Sequence, residues 1–155
     1  MHIPFYERVF MVLSVAVLVA FFVAIVVASA GLGVRLPEPV GRVDPQRLTE
    51  TPPFDRPGVR AVGPNRYEVV MVARAWRFEP REVEVPVGST VTFRIASADV
   101  THGFLIRGTD ANLTLIPGQV SEVTVRFDRP GEYLFLCHEY CGIGHHAMYG
   151  KVVVR

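Results

Sequence analysis

The residues best suited to chemistry lie in one short stretch near the C-terminal end of the chain. Two cysteines, three histidines and one methionine fall within twelve residues: Cys137, His138, Cys141, His145, His146 and Met148. Thiolate, imidazole and thioether form a soft donor set, which favours copper or zinc over magnesium or calcium. These are the only cysteines in the sequence. The stretch 137–148 is therefore the candidate metal-binding loop.

Two other interpretations of this loop stay open at this point. A disulfide between Cys137 and Cys141 would suit a domain outside the cytoplasm, but it leaves the histidines and the methionine unexplained. A structural zinc module would be colourless, and it usually joins a C-x2–4-C pair to a second, distant pair of ligands. The spacing C-x3-C-x3-H-x2-M differs from that pattern.

A further strong ligand must come from elsewhere, and His102 is the candidate. It lies 35 residues before Cys137, at the start of a predicted strand, whereas His2 precedes a long apolar stretch. A mononuclear blue copper site takes two histidines, one cysteine and a weak axial methionine, so this set has one cysteine too many. Two thiolates can instead bridge two copper ions, each completed by one histidine and one weak ligand. The set thus predicts an electron relay with no open position for a substrate, and we assign no catalytic residue.

The elements that must position these residues are predicted strands. Val91–Ile95 and Val123–Phe127 alternate apolar and polar residues, which is typical of strands with one buried face. The same pattern, with its Gly- and Pro-containing turns, predicts strands over 67–76, 82–85, 91–95, 103–106, 113–116, 123–127, 133–137 and 151–154. Short strands separated by turns indicate an antiparallel sandwich or barrel.

A single transmembrane helix is predicted before this domain. Val9–Ala30 contains 22 residues without a charge, and a helix of that length spans about 33 Å, which matches a hydrocarbon core of about 30 Å. Ala28-Ser29-Ala30 resembles a signal-peptide cleavage site, but the apolar run exceeds the ~7–15 residues of a signal peptide's apolar region. We therefore predict a retained membrane anchor over residues 1–35, with its helix over about 9–30.

Composition predicts the rest of the organisation. Seven prolines between residues 36 and 65 indicate an extended, semi-rigid linker, which leaves 66–155 for the β domain. The 16 basic and 15 acidic residues give a net charge of +1, which argues against nucleic acid as a partner. Lys151 is the only lysine, so polybasic attachment to lipid headgroups is not expected.

With these residues in place, the chain resembles cytochrome c oxidase subunit II. The resemblance rests on the 137–148 loop, on Asp99-Val100-Thr101-His102 and on the Ile116-Pro117-Gly118 turn, and it covers essentially the whole chain. It implies an all-β cupredoxin domain, a Greek-key sandwich or barrel, that carries the dinuclear copper centre CuA. The resemblance also implies the ligand roles. Cys137 and Cys141 would bridge the coppers, His102 and His145 would be terminal ligands, and Met148 and the backbone carbonyl of Glu139 would be weak axial ligands.

The resemblance suggests further roles near the loop. Trp76, the only tryptophan, would be the aromatic residue through which the donor's electron enters, the alternative being a core or edge aromatic at a strand end. In many relatives the side chain of the residue at Glu139 also helps to hold magnesium at the subunit I interface, although the B-type branch often lacks this ion. His138 and His146 are interpreted as neighbouring polar residues and not as ligands.

The implied function is that of the oxidase subunit that receives electrons. CuA would accept electrons from cytochrome c and pass them to haem in subunit I, where oxygen is reduced and protons are pumped. The chain would thus belong to an oxidoreductase and translocase without containing its oxygen-reducing site or its haem. Expected partners are subunit I, cytochrome c, the lipid membrane and a small single-helix subunit. The N-terminus would be cytoplasmic, in a bacterial inner membrane, with the copper domain on the periplasmic or outer side.

Two departures from the family pattern refine this interpretation. Most of the family has two transmembrane helices, and the single predicted span resembles the B-type haem–copper oxidases found in thermophilic bacteria. Gln119 stands where much of the family has arginine, so a charge contact between that arginine and subunit I is not expected here.

Other members of the copper class remain as alternatives. A free-standing, membrane-tethered cupredoxin carrier would share every ligand and need no partner subunit. Nitrous oxide reductase has a similar copper centre, but its large catalytic domain is not found in this chain. The subunit II of quinol oxidases has the same fold without the ligands, so the intact ligand motif excludes it.

Overall fold

The computed structural model describes residues 4–32 and 39–155. They belong to two compact units, Met1–Pro37 and Glu38–Arg155. In the first unit, helix α1 (Phe5–Val26) begins directly after Pro4 and continues into a π-helical turn, Val27–Gly31. Proline suits the residue before a helix because the first N–H groups of a helix lack partners within it.

The helix is apolar on all sides. None of the residues of α1 is buried within the unit, and the 27 residues Phe5–Gly31 are long and apolar enough to cross a membrane. A helix that is hydrophobic all round needs an apolar surrounding, either protein or lipid. The predicted span over 9–30 lies within Phe5–Gly31, that is, within α1 and the π-helical turn that follows it.

The second unit consists of two packed β-sheets. Its strands are β1 (Gly41–Arg42), β2 (Gly58–Gly63), β3 (Arg66–Arg74), β4 (Arg77–Glu79), β5 (Glu82–Val85), β6 (Ser89–Ser97), β7 (His102–Ile106), β8 (Asn112–Leu115), β9 (Gln119–Phe127), β10 (Gly131–Leu136) and β11 (Tyr149–Val154). One sheet has the order β1-β9-β6-β3-β2, with β4 also paired to β3, and the other has the order β5-β11-β10-β7-β8. Short 3-10 helices lie at Pro45–Glu50 and His145–Ala147.

The sandwich is not purely antiparallel. β3 pairs with β6 in parallel, and so does β5 with β11, whereas the other pairs are antiparallel. The sequence pattern shows which residues alternate but does not give strand direction, so the prediction of an antiparallel sandwich was wrong for these two pairs.

The main core lies between the sheets. Val91, Phe93 and Ile95 of β6 face it, while the intervening Thr92 and Arg94 are only half-buried, as the alternation predicts. A group of phenylalanine rings fills its centre, with Phe104 5.4 Å from Phe135 and 5.6 Å from Phe78 between ring centroids. Cys137, Cys141 and Met148 belong to the same buried cluster, so the core itself supports the candidate metal loop.

The predicted strand over 67–76 is interrupted. β3 ends at Arg74, the chain reverses at Ala75 and Trp76, and β4 then pairs antiparallel with β3. The backbone N–H of Ala75 donates to the side chain of Asp99 instead of continuing a strand. A single strand through residue 76 was therefore a wrong prediction.

The described part of the predicted linker belongs to the second unit. β1 pairs with β9 and β2 pairs with β3, while Leu48 and Phe54 are buried in a second, smaller core. This core covers the outer face of β3, so residues 69–73 are buried on both faces, which explains their continuous apolar run. Residues 39–63 are thus folded against the sheet and are not free chain. Residues 33–38, where the predicted anchor ends and the predicted linker begins, lie outside the described residues.

Candidate metal centre

The candidate loop connects β10 to β11 across the edge of the core. Its base is closed by the N–H of Cys137, which donates to the carbonyl of Met148 at 3.0 Å. The two cysteine sulfurs lie 3.8 Å apart, far beyond the length of about 2.05 Å of an S–S bond. Both cysteines are buried free thiols, so the structure contains no disulfide between them.

His102 joins the two thiols from a different strand. It is the first residue of β7 and is fully buried, with its Nδ1 3.9 Å from the Cys137 sulfur. One ligand atom from each of His102, Cys137 and Cys141 lies within 4.8 Å of the others. The predicted meeting of His102 with the loop is therefore present in the fold.

Each thiol also has a second set of neighbours within the loop. The carbonyl oxygen of Glu139 lies 3.2 Å from the Cys137 sulfur. His145 Nδ1 lies 3.5 Å, and Met148 Sδ 3.7 Å, from the Cys141 sulfur. Each cysteine is thus next to one imidazole and one weak donor, and all six atoms predicted as ligands come together.

The protonation of the thiols bears on what can bind here. Burial and the neighbouring Cys137 side chain raise the pKa of the Cys141 thiol to about 11. At neutral pH this thiol is therefore uncharged in the absence of a cation. A metal ion that takes it as a thiolate must displace its proton, as is usual for cysteine ligands.

Asp99 is a site residue whose role is not evident from the sequence. Its Oδ1 lies 2.7 Å from Nε2 of His102, and its Oδ2 accepts the Ala75 N–H at 2.6 Å. Burial tends to raise the pKa of Asp99, but hydrogen bonds from Ala75, His102 and Val100 outweigh it and hold the pKa below its ordinary value. The carboxylate favours a proton on Nε2 of His102, which leaves the Nδ1 lone pair facing the thiol. An aspartate three residues before the histidine was the available sequence signal.

Trp76 also touches the loop directly. Its indole N–H donates to the carbonyl of Cys141 at 3.1 Å, and its ring packs against Gly142 and Gly144. The side chain is 43% exposed. It lies at the turn after β3, partly exposed, and contacts the backbone of a candidate ligand.

The two remaining loop histidines lie outside the cluster. The His138 ring packs directly over Gly103, with its Nδ1 3.7 Å from a carboxylate oxygen of Glu139, and His146 is exposed. Neither is among the neighbours found for the two thiols.

Comparison with known proteins identifies the family. The family description "Cytochrome C oxidase subunit II, periplasmic domain" matches residues 73–155. Over 154 residues the chain is 40% identical to cytochrome c oxidase subunit 2 of Thermus thermophilus, and this alignment covers 97% of the chain and 92% of that relative. The chain belongs to the cytochrome c oxidase subunit II family.

Solved structures agree with this assignment. A chain from the cryo-EM structure of a haem–copper terminal oxidase dimer matches with a TM-score of 0.66 and 38% identity, over 97% of this chain and 99% of that chain. The periplasmic domain of subunit II of cytochrome oxidase from Bradyrhizobium japonicum matches with a TM-score of 0.53 and 21% identity, over 57% of this chain and 83% of that domain. The second likeness concerns the fold alone, and it confirms the predicted cupredoxin-like architecture.

Membership of the cytochrome c oxidase subunit II family confirms the predicted function. The chain is a membrane-anchored subunit of a haem–copper oxidoreductase, the subunit at which electrons enter, and it works with a subunit I. Copper is the metal implied by this family, and the His and Cys cluster is compatible with it.

Proposed function

We propose that the cluster holds the dinuclear copper centre CuA, with ligand atoms from His102, Cys137, Glu139, Cys141, His145 and Met148. The observation that carries this proposal is the pairing around the thiols, where each sulfur has one imidazole and one weak donor within 3.9 Å. A mononuclear blue site would use only one thiolate and leave the second buried thiol without a role. The donor set fits two copper ions better than one.

The chain's own residues provide a dry and fixed surrounding for such a centre. When bound, the copper pair supplies one-electron acceptance and release. Cys137, Cys141, Met148 and His102 are all buried, which excludes water from four of the six ligand residues, while Glu139 and His145 are half-buried. The N–H of Gly103 donates to the Cys137 sulfur at 3.4 Å, and a hydrogen bond of this kind tunes the donor strength of a thiolate. We expect these ligand residues to move little when the bound copper pair gains or loses one electron.

Cytochrome c is the proposed donor, and its electron enters beside Trp76. The partial exposure of the indole and its hydrogen bond to the Cys141 carbonyl support this position.

The proposed acceptor of the electron is haem in subunit I. A small single-helix subunit is proposed to lie in the membrane where most of the family has a second helix.

The proposed topology is single-pass, with the N-terminus in the cytoplasm and residues 39–155 on the periplasmic side of a bacterial inner membrane. Arg8 before the apolar stretch agrees with the preference for positive charge on the cytoplasmic side. Protease added to intact spheroplasts should digest the second unit and leave an N-terminal tag protected. Digestion of the N-terminal tag instead would show that the chain has the opposite orientation.

The ligand assignment is tested by substitution in the full-length chain in detergent. Cys137→Ser or Cys141→Ser should abolish the signal of an electron shared by two coppers. Met148→Leu should retain copper but shift the spectrum and the reduction potential, since a weak axial ligand tunes a copper site without holding it. Met71→Leu is the matched control, because Met71 is equally buried but belongs to β3.

The outcomes separate ligands from residues that only pack. Met71→Leu should leave spectrum and potential unchanged. A normal mixed-valence spectrum in either serine variant would contradict the bridging role, and equal effects of the two methionine variants would contradict the role of Met148.

A further inference from the structure

The turn between β3 and β4 contacts both segments that bring the candidate ligands together. The N–H of Ala75 donates to Oδ2 of Asp99, whose Oδ1 contacts His102. The next residue, Trp76, donates its indole N–H to the carbonyl of Cys141. Two successive residues of one turn therefore reach Asp99, three residues before His102, on one side and the loop on the other.

We propose that the Ala75–Trp76 turn sets the position of the His102 segment relative to the loop, and that Trp76 is a positioning residue of the metal centre. Only the consequence of this role, the correct spacing of a copper pair, rests on the proposed ligand assignment. The contacts themselves exist in the chain alone. This role goes beyond that of an aromatic group through which an electron passes.

The tip of the loop, residues 140–144, needs such a contact because it makes few other contacts with the rest of the unit. The backbone hydrogen bonds here are local. The backbone N–H of His145 donates to the carbonyl of Gly142, that of Ala147 to Gly144 and that of Met148 to His145. The large apolar side chains of the tip, Tyr140 and Ile143, are 79% and 85% exposed. Trp76 reaches the same tip from 65 residues away in the sequence.

The packing of the indole explains the glycines of the tip. A Cβ at Gly144 would overlap the indole ring, and a Cβ at Gly142 would lie 2.9 Å from its Nε1. Gly142 also has a φ of +116°, which favours glycine for backbone reasons. Gly144 has a φ of −86°, a value that any residue can adopt. At Gly144, therefore, the contact with Trp76 and not the backbone conformation favours glycine.

The first test measures amide hydrogen exchange in the copper-free, full-length chain. Trp76→Phe keeps a flat ring but loses the N–H donor, and Trp76→Ala removes the ring as well. Exchange at residues 142–148 should become about three- to tenfold faster in Trp76→Phe, the effect of losing one hydrogen bond, and faster still in Trp76→Ala. Tyr140→Phe, a change in an exposed aromatic of the same loop, should change exchange by less than about twofold. Unchanged exchange in Trp76→Ala would overturn the positioning role.

The second test uses Gly144→Ala alone and combined with Trp76→Ala. Gly144→Ala alone should increase loop exchange strongly, because its Cβ meets the indole. In the Trp76→Ala background the same substitution should have little additional effect, since the overlapping ring is gone. Additive effects would show that the ring contact does not explain the glycine, and would overturn this part of the inference.

Copper-loaded protein separates positioning from electron passage. Trp76→Phe and Trp76→Ala should change the copper hyperfine pattern and the reduction potential while copper remains bound, whereas Tyr140→Phe should leave both unchanged. A slower reaction with cytochrome c accompanied by an unchanged spectrum, potential and exchange would mean that Trp76 serves electron passage only. If the unsubstituted chain does not take up two coppers, the proposed function fails, and the exchange experiments still decide the role of the turn.

Discussion

Asp99 connects the β3–β4 turn to the most deeply buried histidine of the site. Its pKa is held below the ordinary value of about 4 by its hydrogen bonds, despite burial. A depressed carboxylate pKa stabilises the fold above the unfolded-state pKa and loses that contribution as the pH falls through the folded-state pKa. Asp99→Asn should therefore cost the copper-free chain about 1 kcal/mol at pH 7, the value being kept low because Asp99 is partly exposed. Urea unfolding should show this loss shrinking towards acid pH, and a loss independent of pH would contradict the role of the charge.

Gly103 lies where β7 passes beneath the His138 ring. A Cβ at this position would be 2.6 Å from the ring, so Gly103→Ala should cost about 1–3 kcal/mol through overpacking. His138→Ala in the same chain should restore most of the loss. Gly63→Ala is the control, because its nearest neighbour would be at an ordinary 3.9 Å. If Gly103→Ala and Gly63→Ala lower the free energy of unfolding in urea equally, the contact with the His138 ring does not explain the loss.

At the scale of elements, the Pro-rich segment should contribute to stability. Leu48 and Phe54 are 1% and 2% exposed over the outer face of β3. Leu48→Ala and Phe54→Ala should each lower the free energy of unfolding by about 2–5 kcal/mol. Val62→Ala, at a residue that is 61% exposed, should change it by less than about 0.5 kcal/mol. If all three variants unfold alike, residues 39–63 are not part of the folded unit.

The same elements show how far the sequence could predict the structure. The alternation in Val91–Ile95 fixes which side chains of β6 face the core, and the donor types and spacing of 137–148, together with His102, point to one metal site. The packing of Leu48 and Phe54 was not predictable, because a proline-rich segment shows no periodicity even when two of its residues anchor it. The contact of Trp76 with Cys141 joins positions 65 residues apart, and neither local spacing nor composition carries that information.

At the scale of the whole molecule, the chain should work inside an oxidase and not as a separate carrier. Purification from the native membrane through a tag on this chain should bring with it a haem-containing subunit I. The second unit contains the candidate metal site, and haem is expected only in the partner subunit. Haem that co-purifies would therefore come from subunit I. Haem absorbance that follows the tag through detergent purification is the expected result. Recovery of the copper chain without haem under mild detergent conditions would favour the free-standing cupredoxin carrier.

The cluster around Cys137 and Cys141 is proposed to hold two coppers that share one electron. The most direct test is a metal count on the full-length chain reconstituted with copper in detergent, combined with optical and EPR spectra. The pairing of one imidazole and one weak donor with each thiol predicts two coppers per chain, a purple colour and hyperfine structure from an electron shared by two copper nuclei. One copper with an intense blue band, or a colourless chain that retains zinc, would contradict it.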